Sequence, residues 1–275
     1  MQTTASPSVD WAAAQAAVSR ACPRVTALLR SVRNPDAPAI GTWTLTDLTV
    51  HVSHVMDAVT AAAKGGGGLV DDVWALTDVT DMFVKAETER SLPALADRID
   101  ASVAGLLDFM GAAPGDTAKT WLVKGVDVPL SLLTCHVLNE LVMHGRDIAL
   151  ADGQPWPIDR STATLILEGF VLPVLSGLGR SMVVEDAARN KRITYDVRLR
   201  GGGRHQFHFD NGDFSIHPGP PTRPVDVHLS VDAEAFLLVS WNRISQWSAI
   251  PKGKLLAWGR KPWLGLKLRG LLKNP

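Results

Sequence analysis

Four ionisable side chains, His136, Glu140, His144 and Asp147, recur at intervals of four, four and three residues in the otherwise largely apolar stretch 132–149. On a helix that turns about 100° per residue they fall within roughly 80° of arc, flanked by Leu132 and Met143 on one side and by Val137 and Ile148 on the other. A polar stripe inside a core face needs a compensating partner, because burying charge is costly, and a metal ion satisfies three or four such groups at once. Asn139 and Arg146 are the expected solvent edge of this helix.

Glu140 and His144 lie one turn apart on one face and can chelate a single ion. A third ligand has a source upstream. Thr44 followed by Asp47 reads as a capping box, which opens a helix that runs to about residue 63 and is ended by the glycines 65–68. On it His51 shares the apolar face with Leu48, Val55 and Ala58, whereas His54 turns toward the edge near Asp57. Two histidines and a carboxylate are a common zinc set, and three protein ligands leave coordination positions open, as catalytic sites do. The same spacing also describes a buried hydrogen-bonded Glu140–His144 pair with His51 a satisfied core histidine, so spacing alone leaves both readings open.

The elements that must carry these residues are helical up to about residue 152. A first helix spans 11–32, kinked or split at Pro23; a second 45–63; a third roughly 80–109, divided at Pro93; and a fourth 130–151. Four long segments with unequal connections suggest a bundle. Residues 155–178, interrupted at Pro173, form an apolar helical passage. After residue 181 the period changes to two. Ile193, Tyr195, Val197 and Leu199 alternate with polar residues, Asp210-Asn211-Gly212-Asp213 is a hairpin turn, and Val225 to Val231 alternate again before Asp232 caps a helix. A short strand near 255–258 and a last helix over 263–272 complete an α+β domain on a mostly antiparallel sheet. The expected organisation is therefore residues 1–152, a connecting segment 153–185, and a second domain 186–275.

Equal numbers of basic and acidic residues, 28 each, give no global field for nucleic acid or an anionic membrane, and neither partner is expected. The two cysteines lie far apart in apolar segments, which fits a reducing cytosol; Cys135, opposite Glu140 on its helix, reads as packing. Met1 to Asp10 has neither basic nor apolar leader character, and no uninterrupted apolar run approaches about 18 residues, so a soluble cytoplasmic protein is expected. Lys85, Glu87, Glu89, Arg90 and Arg98 read as a solvated helix face, with Arg90 or Arg146 the cations available to a substrate carboxylate. The glycine run has no phosphate-loop context and reads as a flexible loop. Oligomeric state is left open.

Trp43-Thr44-x-x-Asp47-Leu48-x-x-His51, taken with His136-x-x-x-Glu140-x-x-x-His144-Gly145-Arg146-Asp147, resembles the metal-binding domain of mycothiol-dependent maleylpyruvate isomerases, within the DinB/YfiT-like superfamily of four-helix bundles. The resemblance covers about residues 8–152. It implies that His51, Glu140 and His144 hold one divalent metal, zinc by ligand set. His136 and Asp147 could orient His144 or Glu140; equally, Asp147 could bond only to backbone or to Arg146, and His136 could be a core histidine. Arg146 departs from the tryptophan usual in the family, which puts the inherited substrate preference in doubt. The implied chemistry is activation of mycothiol as a thiolate nucleophile, for cis–trans isomerisation of a conjugated double bond or for S-transfer to an electrophile; no catalytic side chain of the protein itself is assigned. The lean is to S-transfer, since isomerisation demands a particular substrate geometry.

Residues 225–244 with 253–259 and the terminal helix resemble the sterol-carrier-protein-like fold, a usual neighbour of this metal-binding domain in actinobacterial proteins. The expectation is that this α+β domain packs as a core, with Trp241, Trp247, Trp258 and Trp263 inside it. Its last helix, basic and leucine-rich, could lie on a membrane, but overall neutrality favours a cover for the sheet and no stable membrane association. The rival functions are a carrier of lipid or another hydrophobic small molecule, and a structural protein without chemistry.

Overall fold

The computed structural model describes residues 9–273, and the chain divides into two compact units, Val9–Pro157 and Ile158–Pro275. Most of the segment Met1–Asp10, read above for leader character, thus lies outside the described residues. In the first unit α1 (Trp11–Ser31) begins at Asp10, whose side chain accepts from the Ala13 N–H, and runs unbroken through Pro23. The expected split does not occur. Val18, Cys22, Val25 and Thr26 are buried on either side of the proline, and that packing holds the helix together. A hairpin of β1 (Pro38–Ile40) and β2 (Trp43–Thr44) leads into α2 (Leu45–Ala63), where the Thr44–Asp47 capping box is formed. The stretch read as one divided helix is α3 (Leu76–Ala86) and α4 (Leu92–Ala112): Ser91 caps α4 and Pro93 occupies its first turn, where a missing N–H costs nothing. A second hairpin, β3 (Ala118–Thr120) and β4 (Asp127–Pro129), precedes α5 (Leu130–Ala151).

Helices α1 and α2 each pack on both α4 and α5, and α5 also meets β1 and β4. With neighbours on all sides, every residue of α5 from Leu130 to Met143 is buried. The expected solvent edge is thereby corrected at Asn139, which is only 2% exposed.

The glycine run is also no loose loop. The Gly68 N–H donates to Trp121 O at 2.6 Å, Val70 bonds Leu122 O, and a Cβ on Gly67 would stand 1.8 Å from Thr120 O. Only glycine lets this backbone lie against the Thr120–Trp121 peptide.

The second unit opens with α6 (Arg160–Ile166), a π-turn over Leu167–Val171 and α7 (Leu172–Leu178). The widened turn just before Pro173 absorbs the proline that would clash in a regular helix, so the apolar passage bends its hydrogen bonding rather than stopping. From Ile158 onward this passage groups with the sheet instead of forming a separate connector, because α6 packs on the helix Ala233–Ser240 and α7 on the strand Asp213–Pro218. Arg160–Met182 is long and apolar enough by length and composition to cross a membrane. Glu168 in its middle accepts the Gly203 N–H at 2.6 Å and lies 3.1 Å from His205 Nε2.

After α8 (Glu185–Ala188) come β5 (Arg192–Arg200), β6 (Arg204–Asp210), β7 (Asp213–Pro218), β8 (Val227–Asp232), α9 (Ala233–Ser240), α10 (Gln246–Ala249) and β9 (Leu255–Trp258). The sheet order is β7-β6-β5-β8-β9, antiparallel except for β5–β8. Asp210 pairs with Asp213 across an Asn211-Gly212 turn with both φ values positive, as a tight hairpin requires. Tyr195, Val197, Phe207, Leu229 and Val231 fill one face of the sheet.

Two expectations fail here. The last helix is a 3-10 segment, Pro262–Lys267, followed by the short α11 (Leu268–Leu271): Gly265 and Gly270 weaken a regular helix, and Gly265 lies so close over the sheet that a Cβ would be 2.8 Å from the Ala257 Cβ. Trp247, Trp258 and Trp263 are exposed, at 62%, 41% and 56%, rather than core.

Candidate metal centre

The two long motif-bearing helices bring His51 of α2 and Glu140 and His144 of α5 together, so that one ligand atom from each lies within 4.8 Å of the others. Glu140 Oε2 is 3.4 Å from His51 Nε2 and 3.3 Å from His144 Nε2, and the two imidazole rings meet edge to face with centroids 4.9 Å apart. The donor set fits a divalent ion of zinc type: two imidazole nitrogens and one carboxylate oxygen, converging in a nearly buried position.

The two oxygens of Glu140 have different surroundings. Oε1 accepts from the Asn139 amide at 3.1 Å and lies 3.6 Å from His136 Nε2. Trp121 Nε1–H donates to His136 Nδ1 at 3.3 Å; an indole only donates, so His136 carries its proton on Nε2, the nitrogen toward Glu140. Oε2 is left facing the two histidines. His144 is held in the same manner. Its Nδ1 is 3.2 Å from Asp147 Oδ2, and donating that proton fixes Nε2 as the nitrogen that faces the cluster and must give up its own proton to ligate.

The electrostatics follow. Burial opposes ionisation of Glu140, but His136, His144 and His51 outweigh it and hold the carboxyl well below its ordinary range. Burial pushes His51 down. It pushes His144 down too, yet the hydrogen bonds to Asp147 and Glu140 prevail and carry that imidazole up to about 9. The cluster therefore holds a carboxylate, a neutral imidazole and an exchangeable proton on His144.

The chain from 18 to 149 matches the family model described as Mycothiol maleylpyruvate isomerase N-terminal domain. That match lies wholly within the first unit, Val9–Pro157. The whole chain is similar to the solved mycothiol-dependent maleylpyruvate isomerase at 12% identity, covering 100% of this chain and 99% of that one with a TM-score of 0.48, and to a mutant of the same enzyme with a TM-score of 0.49. Sterol carrier protein 2 from Yarrowia lipolytica is 17% identical over 38% of this chain and 91% of its own, with a TM-score of 0.23. No curated protein matches.

Within the first unit the remaining candidates take other positions. Arg90 pairs with Asp47 Oδ1 at 3.1 Å and braces the capping box of α2. Arg146 is half-buried and lies about 200° round α5 from His144, off the face that carries the cluster. His54 stacks on Phe83 and stands 3.1 Å from Glu87 Oε2, which Arg98 also engages at 2.8 Å, so Glu87 and Arg98 of the face read as solvated are tied to one another. Cys135 is buried, and burial pushes its thiol up to about 12, which leaves it without nucleophilic character at neutral pH. Gly145 has a packing reason: a Cβ there would stand 2.7 Å from Trp156 and 2.9 Å from Val25.

Trp121 and Asn139 are the functional neighbours the sequence reading missed. A tryptophan in a short hairpin directly before a histidine-bearing helix was the available signal, since a buried indole N–H seeks an acceptor.

Proposed function

We propose that the first unit binds one divalent metal, zinc by ligand chemistry, through His51 Nε2, Glu140 Oε2 and His144 Nε2, and that it is the working centre of a cytoplasmic, mycothiol-dependent isomerase of maleylpyruvate type. The observation that carries the reading is the convergence of Oε2 with two imidazole Nε2 atoms inside a domain of that family. A divalent ion bound there lowers the pKa of a thiol brought to it, making thiolate available at neutral pH.

The chain's own residues supply orientation. Asp147 fixes the His144 tautomer, Asn139 and His136 hold Glu140 Oε1 so that Oε2 stays directed, and the Trp43 ring, 5.2 Å from the His51 ring, walls the histidine and is itself anchored by its N–H to Asp81. Isomerisation by reversible thiol addition needs this activated thiol and a cis-configured, conjugated substrate. S-transfer needs the same thiol and an electrophile that retains it, and the match to the isomerase family model favours isomerisation. Both cysteines are free and buried, which accords with the cytoplasmic reading.

The test is incubation of zinc-loaded protein with mycothiol and maleylpyruvate, followed by proton NMR. Conversion to the trans isomer that stops without mycothiol supports the reading. Accumulation of a stable thioether supports S-transfer, and no thiol-dependent change opposes both.

A second reading concerns Ile158–Pro275 alone. It has an apolar cavity of about 450 Å³, lined among others by Phe207, Leu229, Val231 and Phe236. A sterol-carrier-protein-like unit that holds a hydrophobic small molecule accords with that lining.

A further inference from the structure

Overall neutrality conceals a strong segregation of charge. From residue 235 to the end the sequence contains eight Lys and Arg and no Asp or Glu. Three of the eight are engaged by acids of the preceding strand region: Lys254 with Glu234 at 2.9 Å, Lys261 with Asp226 at 3.0 Å, and Arg260 with Asp226. Lys252 and Lys267 are exposed and form no ion pair among the described residues.

The same segment carries large apolar side chains in water. Trp247 and Trp263 are more than half exposed, and Leu256 and Leu266 nearly so, at 47% and 41%. They are neighbours in space as well as in sequence. Gln246 Nε2 donates to Leu266 O at 3.2 Å, tying α10 to the 3-10 segment, and Leu256, Trp263 and Leu266 border the apolar cavity of this unit. A contiguous apolar patch rimmed by cations marks an interaction surface.

We infer that this patch docks reversibly on an anionic phospholipid bilayer, with Trp247, Trp263 and Leu266 entering the headgroup–acyl boundary and Lys252 and Lys267 contacting lipid phosphates. Three features select this occupant. Tryptophan prefers the membrane interface, where its ring is half solvated. Lysine can lay its stem along an apolar surface while its ammonium reaches anionic headgroups. A second copy of the chain is disfavoured, because it would bring two acid-free, cationic segments against one another. Docking also sets the border of the cavity against the acyl chains.

The experiment is co-sedimentation of the full chain with vesicles of phosphatidylcholine alone and with about 30% phosphatidylglycerol added. Wild type is expected to bind the anionic vesicles at least about tenfold more tightly, and to lose most of that advantage at about 0.5 M salt. Trp247→Ser/Trp263→Ser and Lys252→Glu/Lys267→Glu are each expected to weaken binding about tenfold or more while unchanged zinc uptake reports an intact first unit. Equal partition on both vesicle types, no binding, or a tryptophan variant that binds like wild type would overturn the inference. A dimer that the tryptophan variant abolishes, without vesicle binding, would overturn it in favour of self-association. Quenching of wild-type tryptophan fluorescence by brominated anionic lipid provides a check free of substitutions: quenching supports the inference, and its absence opposes it.

Discussion

Trp121 and His136 are joined by an indole N–H donated to Nδ1 at 3.3 Å, and this contact sets which nitrogen of His136 faces Glu140. The indole comes from the hairpin before α5, so a residue on another element governs the tautomer beside the ligand cluster. Trp121→Phe removes the donor and keeps most of the ring volume. It should lower zinc affinity about 10- to 100-fold with little loss of folded structure, as measured by chelator competition. Unchanged affinity would mean that the His136 tautomer has no bearing on the site.

Metal binding should release a proton. With His144 carried up to about 9, its imidazole is mostly protonated at pH 7, and a ligating nitrogen must be bare. Zinc affinity should therefore rise with pH up to about 9. Calorimetric titration in buffers of different ionisation enthalpy should report about one proton released at pH 7. Asp147→Asn, which removes the carboxylate that raises His144, should reduce that number.

Glu87 predicts an acid-linked loss of stability. Its carboxyl, lowered from 4.5 to about 2 by hydrogen bonds from the Glu89 N–H, Arg98 and the Thr88 N–H, is more acidic folded than unfolded. The stabilisation it gives is complete above about 4.5 and disappears as pH falls toward about 2. Thermal melts of wild type and Glu87→Gln should differ most near neutrality and converge at the acid end.

Gly67→Ala tests the glycine run as a positioning element. A Cβ 1.8 Å from Thr120 O cannot be accommodated without moving backbone on one side. The variant should lose about 1–3 kcal/mol of stability in chemical denaturation, and its zinc affinity should fall as Trp121 is displaced. A wild-type denaturation midpoint would contradict the packing described.

What was legible in the sequence was periodic or local. The i, i+4 spacing of Glu140 and His144, the Thr44–Asp47 capping box and the Asp210–Asp213 hairpin each report on residues within one turn of one another. What was illegible depended on neighbours distant in sequence. Asn139 looks like a surface residue until α5 is enclosed on every side. The glycine run looks flexible until Thr120 lies against it. Pro23 looks like a break until buried residues on both sides hold α1 together. In the second unit, the alternation of β5 was plain, but the exposure of Trp247 and Trp263 was not. A large aromatic carries the same pattern whether it fills a core or borders a cavity.

The most direct test of the metal centre is the zinc content of wild type beside His51→Ala, Glu140→Ala and His144→Ala, after reloading and removal of free metal. Wild type should carry about one equivalent, and all three variants should lose most of it with their helical content retained. A wild type that stays metal-free, or variants that keep a full equivalent, would contradict the metal centre.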